Sequence, residues 1–214
     1  MVSISKSNDL TTTISFFKID SEYQKKQIDL LREFIDNTLS KQTGFVSSTI
    51  HRSLRGSTIV NYSQWTASKD NNTGINYMIS PEPKSVISFA THELNPYEIH
   101  HAIGDEMIIA EHDKVVTAIN YVKLDPKNQA NYTNEWINVF ENVMKKQPSF
   151  ISAILHKSVT GNRLLSYSHW AKREDLEASL ALPEVFNPVD RATNFSRSDW
   201  SIYEVSYVNE ILKT

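Results

Sequence analysis

The sequence contains no cysteine and only five glycines among its 214 residues. The absence of cysteine excludes a disulfide framework, a zinc site with thiolate ligands and a cysteine nucleophile. Neither G-x-G-x-x-G nor G-x-x-x-x-G-K-[ST], the glycine-rich loops that bind nucleotide phosphates, occurs. No H-E-x-x-H motif or carboxylate facial triad stands out, so we expect no metal site.

Long apolar runs and long basic runs are also missing. No stretch approaches the roughly 20 apolar residues that a membrane helix needs, and residues 1–6 lack the apolar core of a signal peptide. The formal net charge is −3, which makes nucleic acid a poor partner. These absences predict a cytoplasmic protein that binds neither membranes nor nucleic acid.

An internal repeat is the most informative feature that the sequence does contain. Residues 12–65 align without a gap to residues 117–170, at a constant offset of 105, and 16 of the 54 pairs are identical. After the tryptophan that ends this match, the alignment needs small insertions or deletions. The repeat predicts two related domains, residues 1–108 and 109–214.

Each repeat has the same predicted order of strands and helices. In the second repeat, Val115 to Leu124 reads as a strand, Asp125-Pro126 as a helix start, and Arg173 to Leu182 as a second helix. Two further strands flank a turn glycine in each copy, Gly56 or Gly161. The helix after the tryptophan is weaker in the first repeat, because residues 71–74 interrupt it. A last strand closes each copy, from Tyr97 to Ile103 and from Ser201 to Val208.

The order β-α-β-β-α-β is the ferredoxin-like arrangement and belongs to the α+β class. In it, two helices cover one face of an antiparallel sheet and leave the other face open. Two fused copies can cover each other's open faces. We therefore expect two ferredoxin-like repeats packed sheet to sheet as an intramolecular pseudo-dimeric α/β barrel, with a homodimer of the two-domain chain as an open alternative.

The hairpin of the first repeat carries a distinctive pattern. Residues 44–56 contain G-F-x-x-x-x-x-H-x-S followed by a turn glycine, and residues 61–65 read N-Y-x-x-W. This pattern resembles that of the antibiotic biosynthesis monooxygenase family. The second repeat matches this pattern less well, because Ser149 replaces the glycine and Ser166 replaces the asparagine. The resemblance implies a ferredoxin-like fold and, in the oxygenase branch, oxidation of polycyclic aromatic compounds by O₂ without a cofactor.

The same resemblance implies roles for particular side chains. Asn61 would donate a hydrogen bond to a substrate or peroxide oxygen, and Trp65 would form an aromatic wall beside the oxidised ring. Strand alternation places Ser63 on their face. In the second repeat, Ser166 and Trp170 occupy the corresponding positions. We expect Asn61 and Trp65 to be catalytic, and the residues expected to bind substrate are His51, Ser63, Trp170, Ser166, His156 and Asn120. The alternative for both tryptophans is a purely structural place in the core.

Two histidines have two interpretations each. His51 and His156 are repeated at the end of the second strand, where a histidine could act as a base on a phenol near neutral pH or could secure the hairpin by a hydrogen bond. Trp136 lies within a helical apolar stripe, which predicts a place in the core.

Two other functions stay open at this point. A non-catalytic ligand-binding or sensing protein of the same fold would explain the divergence of the second repeat. The family's haem-degrading branch carries an asparagine where Asn120 stands and a tryptophan where Trp170 stands. Its iron-binding histidine has no counterpart, because Asp190 falls at that position and the first repeat offers Ser88, with His92 nearby. Haem breakdown is therefore the weakest of the three hypotheses.

Overall fold

The computed structural model describes residues 1–5, 10–66, 86–111, 114–185 and 198–211. The chain forms two compact units. Unit 1 comprises Met1–Tyr97, Ile108–Asp113 and Tyr203–Thr214, and unit 2 comprises Glu98–Met107 and Lys114–Ile202. Each unit thus holds most of one repeat together with the end of the other repeat's last strand. The domain boundary at residues 108 and 109 stays a prediction about the repeat.

Ten strands occur within the described residues. They are β1 (Val2–Ile4), β2 (Leu10–Ile19), β3 (Phe45–Ser53), β4 (Thr58–Thr66), β5 (Ala90–Gly104), β6 (Met107–Ile109), β7 (Val116–Lys123), β8 (Phe150–Ser158), β9 (Arg163–Trp170) and β10 (Ser198–Glu210). The hairpin strands flank the turn glycines as predicted. The last strand of each repeat is longer than predicted, and β1 and β6, which form a separate two-stranded sheet, were not predicted.

The described helices are α1 (Gln24–Asn37), α2 (Gln129–Asn142) and α3 (Arg173–Leu180). Helices α1 and α2 each follow a short 3-10 turn, so the α-helix begins a few residues after the predicted start. Asp125 accepts a hydrogen bond from the backbone N–H of Lys127 and caps that turn. The predicted second helix of the first repeat lies outside the described residues. None of the described helices is long and apolar enough to cross a membrane.

The sheet of unit 1 has the order β10-β3-β4-β2-β5, and that of unit 2 has the order β5-β8-β9-β7-β10. In unit 1, β2 pairs antiparallel with the first half of β5, and β3 pairs with the second half of β10. Both long strands thus belong to both orders, and the strand order closes into a barrel. The predicted α+β class and the closed barrel built from both repeats are confirmed.

Each unit has its own apolar core between its sheet and its first helix. In unit 1, Leu31 and Ile35 of α1 pack with Phe17 of β2 and Trp65 of β4. These side chains lie on one helical stripe and on alternate strand positions, which is why they meet.

The core of unit 2 is built in the same way. Trp136 and Phe140 of α2 pack with Val122, Trp170 and Leu176. The prediction that Trp136 is a core residue is confirmed.

The hairpin glycines adopt the left-handed conformation that the turn requires. Gly56 has φ of 79° and Gly161 has φ of 77°. A side chain at either position would be strained, because L-residues with a Cβ rarely adopt positive φ. The turn glycine that repeats in the sequence therefore fixes the register of both hairpins.

Candidate functional site

The first candidate site is the helix-facing side of β4 and its neighbouring strands, and it comprises Asn61, Ser63, Trp65, Ser48 and Thr13. Ile59 and Trp65 belong to the core beneath α1. Asn61 and Ser63 lie at every second position between them on β4, so they face the same way. Strand β2 places Thr13 opposite Ser63, and β3 places Ser48 opposite Ser63. All five residues are buried.

A chain of hydrogen bonds orients the side-chain amide of Asn61. The Ser48 hydroxyl donates to Asn61 Oδ1 at 2.6 Å, and its oxygen lies 2.9 Å from Ser63 Oγ. Because a hydroxyl carries a single proton, Ser63 must be the donor to Ser48. Asn61 Oδ1 is therefore held as an acceptor, and its Nδ2 group is turned away from Ser48 as the donor.

Trp65 is tied into the core of unit 1 at both ends. Its ring packs edge-on against Phe45, with centroids 5.5 Å apart, and its Nε1–H donates to Thr13 Oγ1 at 3.0 Å. The side chain is 0% exposed. The indole is thus fixed in position, and its one donor is engaged by Thr13.

The second candidate site is the corresponding helix-facing side of β9 and β7, and it comprises Ser166, Ser168, Trp170 and Asn120. Trp170 packs edge-on against Phe150, and its Nε1–H donates to Ser168 Oγ at 3.1 Å. The acceptor differs from that of Trp65 because Ala118 stands where the first repeat has Thr13. Each tryptophan thus finds a hydroxyl partner, but a different one.

An asparagine and a serine exchange strands between the two sites. Asn61 of β4 pairs with Ser15 of β2, whereas Ser166 of β9 pairs with Asn120 of β7. Asn120 is partly exposed, while Asn61 is 4% exposed. Each site therefore keeps one carboxamide on its helix-facing side, carried by different strands.

His51 and His156 lie on the opposite side of the sheet from these sites. His51 pairs with Val60, one position from Asn61, and His156 pairs with Leu165, one position from Ser166. Successive strand residues point to opposite faces, so neither histidine joins the residues with which it was grouped. Both side chains are fully buried.

Burial also changes the acidity of His156. Removal from water disfavours the imidazolium and lowers the pKa of His156 to about 3, although a hydrogen bond with the backbone of Ile154 partly counteracts this shift. His156 is therefore neutral at pH 7. A group with so low a pKa is a weak base, which favours the structural interpretation for this residue.

The residues considered for metal or haem binding are dispersed. Within the part of the chain that the structure describes, no group of three or more histidine, aspartate or glutamate side chains could hold a metal ion. Ser88 is exposed in the turn before β5, and His92 lies on β5 itself. Asp190 lies outside the described residues.

Comparison with known proteins finds a family match within the second repeat. Residues 115–186 match the family model described as antibiotic biosynthesis monooxygenase. The match lies within the second repeat and covers about a third of the chain. The match falls on the repeat that departs further from the sequence pattern, so the family resemblance extends beyond the glycine and asparagine positions. The first repeat is related to this family domain through the internal repeat.

A sequence relative and two solved structures accompany this match. The chain is 37% identical over 70 residues to the tetracenomycin-F1 monooxygenase of Streptomyces glaucescens. The aligned residues make up 33% of this chain and 62% of that protein. The chain thus spans about three fifths of that relative's length. An anthrone oxidase-like protein superposes with a TM-score of 0.81 at 18% identity, covering 99% of this chain and 98% of its own.

A monooxygenase-like protein from Listeria innocua superposes over 94% of this chain and 96% of its own, with a TM-score of 0.54 at 13% identity. Both structural similarities concern the fold. They extend over both repeats, whereas the family match covers the second.

Sequence reasoning missed Ser48 and Thr13, the two hydroxyl groups that position Asn61 and Trp65. The family pattern lists residues along single strands and does not include these two. Pairing the predicted strands would have found Ser48, because the hairpin turn at Gly56 sets it opposite Ser63. Thr13 depends on the neighbour of β4 in the sheet, which strand order along the chain does not specify.

Proposed function

We propose that this chain is a monooxygenase that oxidises a small hydrophobic or aromatic compound, of the polyketide or quinol type, with O₂ and without a cofactor. The observation that carries the proposal is the oriented amide of Asn61, which is buried on the same face of β4 as Trp65. The family of the second repeat and the Streptomyces relative support the reaction class.

The chemistry requires a substrate that can supply its own electrons. An anthrone has an activated methylene group between two aromatic rings. Loss of a proton gives an anion whose electron pair adds to O₂, and loss of water from the resulting hydroperoxide leaves a quinone. Asn61 Nδ2 would donate to the substrate oxygen on which negative charge develops, as a preorganised donor in a dry site.

Oxygen uptake with an anthrone tests this proposal. Asn61→Ala should lower kcat by about 100-fold, the usual effect of removing one such donor. Trp65→Phe should lower the rate if the indole shapes the site. Equal rates in wild type and both variants would remove these residues from the mechanism. Unchanged circular dichroism would show that the variants are folded.

Ser48→Ala separates orientation from binding. Ser48 does not contact substrate in this proposal, so its loss should lower kcat with little change in KM, and by less than the loss of Asn61 itself. An equal effect on kcat from Asn120→Ala would instead assign the activity to the second site, where the carboxamide lies on β7.

A second candidate function is ligand binding without turnover. The burial of Trp65 and the engagement of its Nε1–H by Thr13 favour it, because the indole then serves the core. Equilibrium binding of an anthrone or its quinone without oxygen consumption by wild type would support it. Haem breakdown would require a Soret shift when haem is added, and no shift would exclude it.

A further inference from the structure

His92 lies on the helix-facing side of unit 1, the side that carries Asn61. On β5, His92 pairs with Phe17 of β2, and the two rings stack with centroids 4.6 Å apart and an interplanar angle of 25°. Phe17 belongs to the core beneath α1, together with Trp65. Among the described histidines of unit 1, His51 faces the opposite side, which leaves His92 on this one.

The strand register gives the separation between His92 and the first site. Phe17 also pairs with Ile59 of β4, two residues before Asn61. His92 is therefore two strands across and two residues along from Asn61, which corresponds to about 12 Å between their Cα atoms at ordinary strand spacings. An anthrone carries its carbonyl oxygen and its methylene group on opposite sides of the central ring, so a substrate whose carbonyl oxygen accepts from Asn61 would present its methylene group toward the imidazole.

The proposed oxidation needs a base, and none of the first-site residues is one. Asn61, Ser63, Trp65, Ser48 and Thr13 cannot accept a proton near pH 7. His92 is partly buried, and this burial lowers the pKa of its imidazole, while the Glu93 carboxylate counteracts part of the shift. The neutral imidazole therefore predominates at pH 7 and can take up a proton.

We propose that His92 is the general base that removes the methylene proton of the substrate held by Asn61, an inference that rests on the proposed function. The C–H bond breaks, its proton goes to the imidazole nitrogen, and its electron pair stays on carbon. The carbanion then adds to O₂, forming the C–O bond. The imidazolium returns its proton to the distal peroxide oxygen, and elimination of water gives the carbonyl group.

Deuterium exchange without oxygen tests the base apart from the oxidation. Anthrone is incubated anaerobically in D₂O with each protein, and the methylene signal is followed by NMR. Wild type should accelerate deuterium exchange of the methylene group. Exchange with His92→Gln should be at least about 100-fold slower than with wild type, as expected for the loss of a general base. His101→Gln, a matched change at a partly exposed histidine of unit 2, should exchange like wild type.

Chemical rescue guards against a folding defect. Added imidazole should restore exchange in His92→Ala, where the substitution leaves room for it, and should not restore Asn61→Ala. Wild-type exchange without oxygen uptake would uphold the base and overturn the proposed function. Two results would overturn the assignment of His92. One is oxygen uptake by wild type together with undiminished deuterium exchange by His92→Gln, and the other is the absence of deuterium exchange by wild type.

Discussion

At the scale of single residues, the two tryptophans show how a buried donor is satisfied. Trp65 donates to Thr13, and Trp170 donates to Ser168. Thr13→Val keeps the shape of the side chain and removes the acceptor. It should lower the free energy of unfolding by about 1–3 kcal/mol, because a buried N–H is left without a partner.

The double variant Thr13→Val/Trp65→Phe provides the control for this prediction. Removing donor and acceptor together should cost less than the sum of the two single changes. Urea unfolding of all four proteins measures the coupling. Strict additivity would show that the Trp65–Thr13 hydrogen bond does not contribute to stability.

His156 predicts how the stability of unit 2 depends on pH. Its pKa in the folded protein is about 3, below the value of about 6.5 in an unfolded chain. The unfolded chain therefore takes up a proton that the folded protein refuses as the pH falls below 6.5. The stabilisation that depends on neutral His156 is therefore fully present above pH 6.5, and the free energy of unfolding decreases as the pH falls toward 3.

Urea unfolding between pH 7 and pH 4 tests this dependence. The free energy of unfolding of wild type should fall more steeply than that of His156→Gln, by up to about 1.4 kcal/mol per pH unit. Parallel curves for the two proteins would contradict the prediction.

The site could be predicted only in part at this scale. Asn61, Ser63 and Trp65 were grouped correctly on one face because alternation along a strand is a local property. His51 was grouped with them from its place near the end of a neighbouring strand. Its face is set by the register between β3 and β4, in which His51 lies opposite Val60, one position from Asn61.

At the scale of elements, the end of β5 depends on a glycine. Gly104 has φ of 81°, and a Cβ built there would lie 2.3 Å from the carbonyl oxygen of Ile151. Gly104→Ala combines a left-handed conformation, at about 1–2 kcal/mol, with overpacking against backbone, at about 1–3 kcal/mol. The free energy of unfolding should fall by about 2–5 kcal/mol.

Gly161→Ala is the matched control for this prediction. Gly161 has nearly the same φ, but a Cβ there would meet Pro126 at an ordinary 3.5 Å. It should therefore show the conformational cost alone. Chemical unfolding of both variants measures the difference, and equal losses of stability would contradict the role assigned to close packing.

The elements themselves were largely predictable from the sequence. The hairpins follow from alternating β-branched residues around a turn glycine, and the helical stripes predicted α1 and α2. The strands β1 and β6 were missed because three residues carry too little pattern. The last strands were predicted too short because β5 contains Pro96 and a mixed sequence from Ala90 onward, which does not alternate clearly.

At the scale of the whole molecule, the repeats are not the packing units. Residues 203–210 of β10 pair with β3 in unit 1. A chain that ends at Ile202 should therefore damage unit 1, because β3 becomes an unpaired edge strand. Hydrogen exchange should show lost protection in residues 47–53, with β8 and β9 still protected.

A peptide of residues 203–214 added to the truncated chain should restore this protection. Concentration-dependent association of the truncated chain is also expected, since an exposed edge strand pairs with other chains. Unchanged protection of β3 in the truncated monomer would show that β10 is dispensable for unit 1.

The place of β10 in unit 1 also fixes an order of events during protein synthesis. Domains generally fold from the N-terminus as the ribosome releases them. Here, β10, which pairs with β3, is translated only after all the other strands of unit 1. Unit 1 therefore cannot be completed until β10 has emerged from the ribosome, and β3 stays an unpaired edge strand on the nascent polypeptide until then.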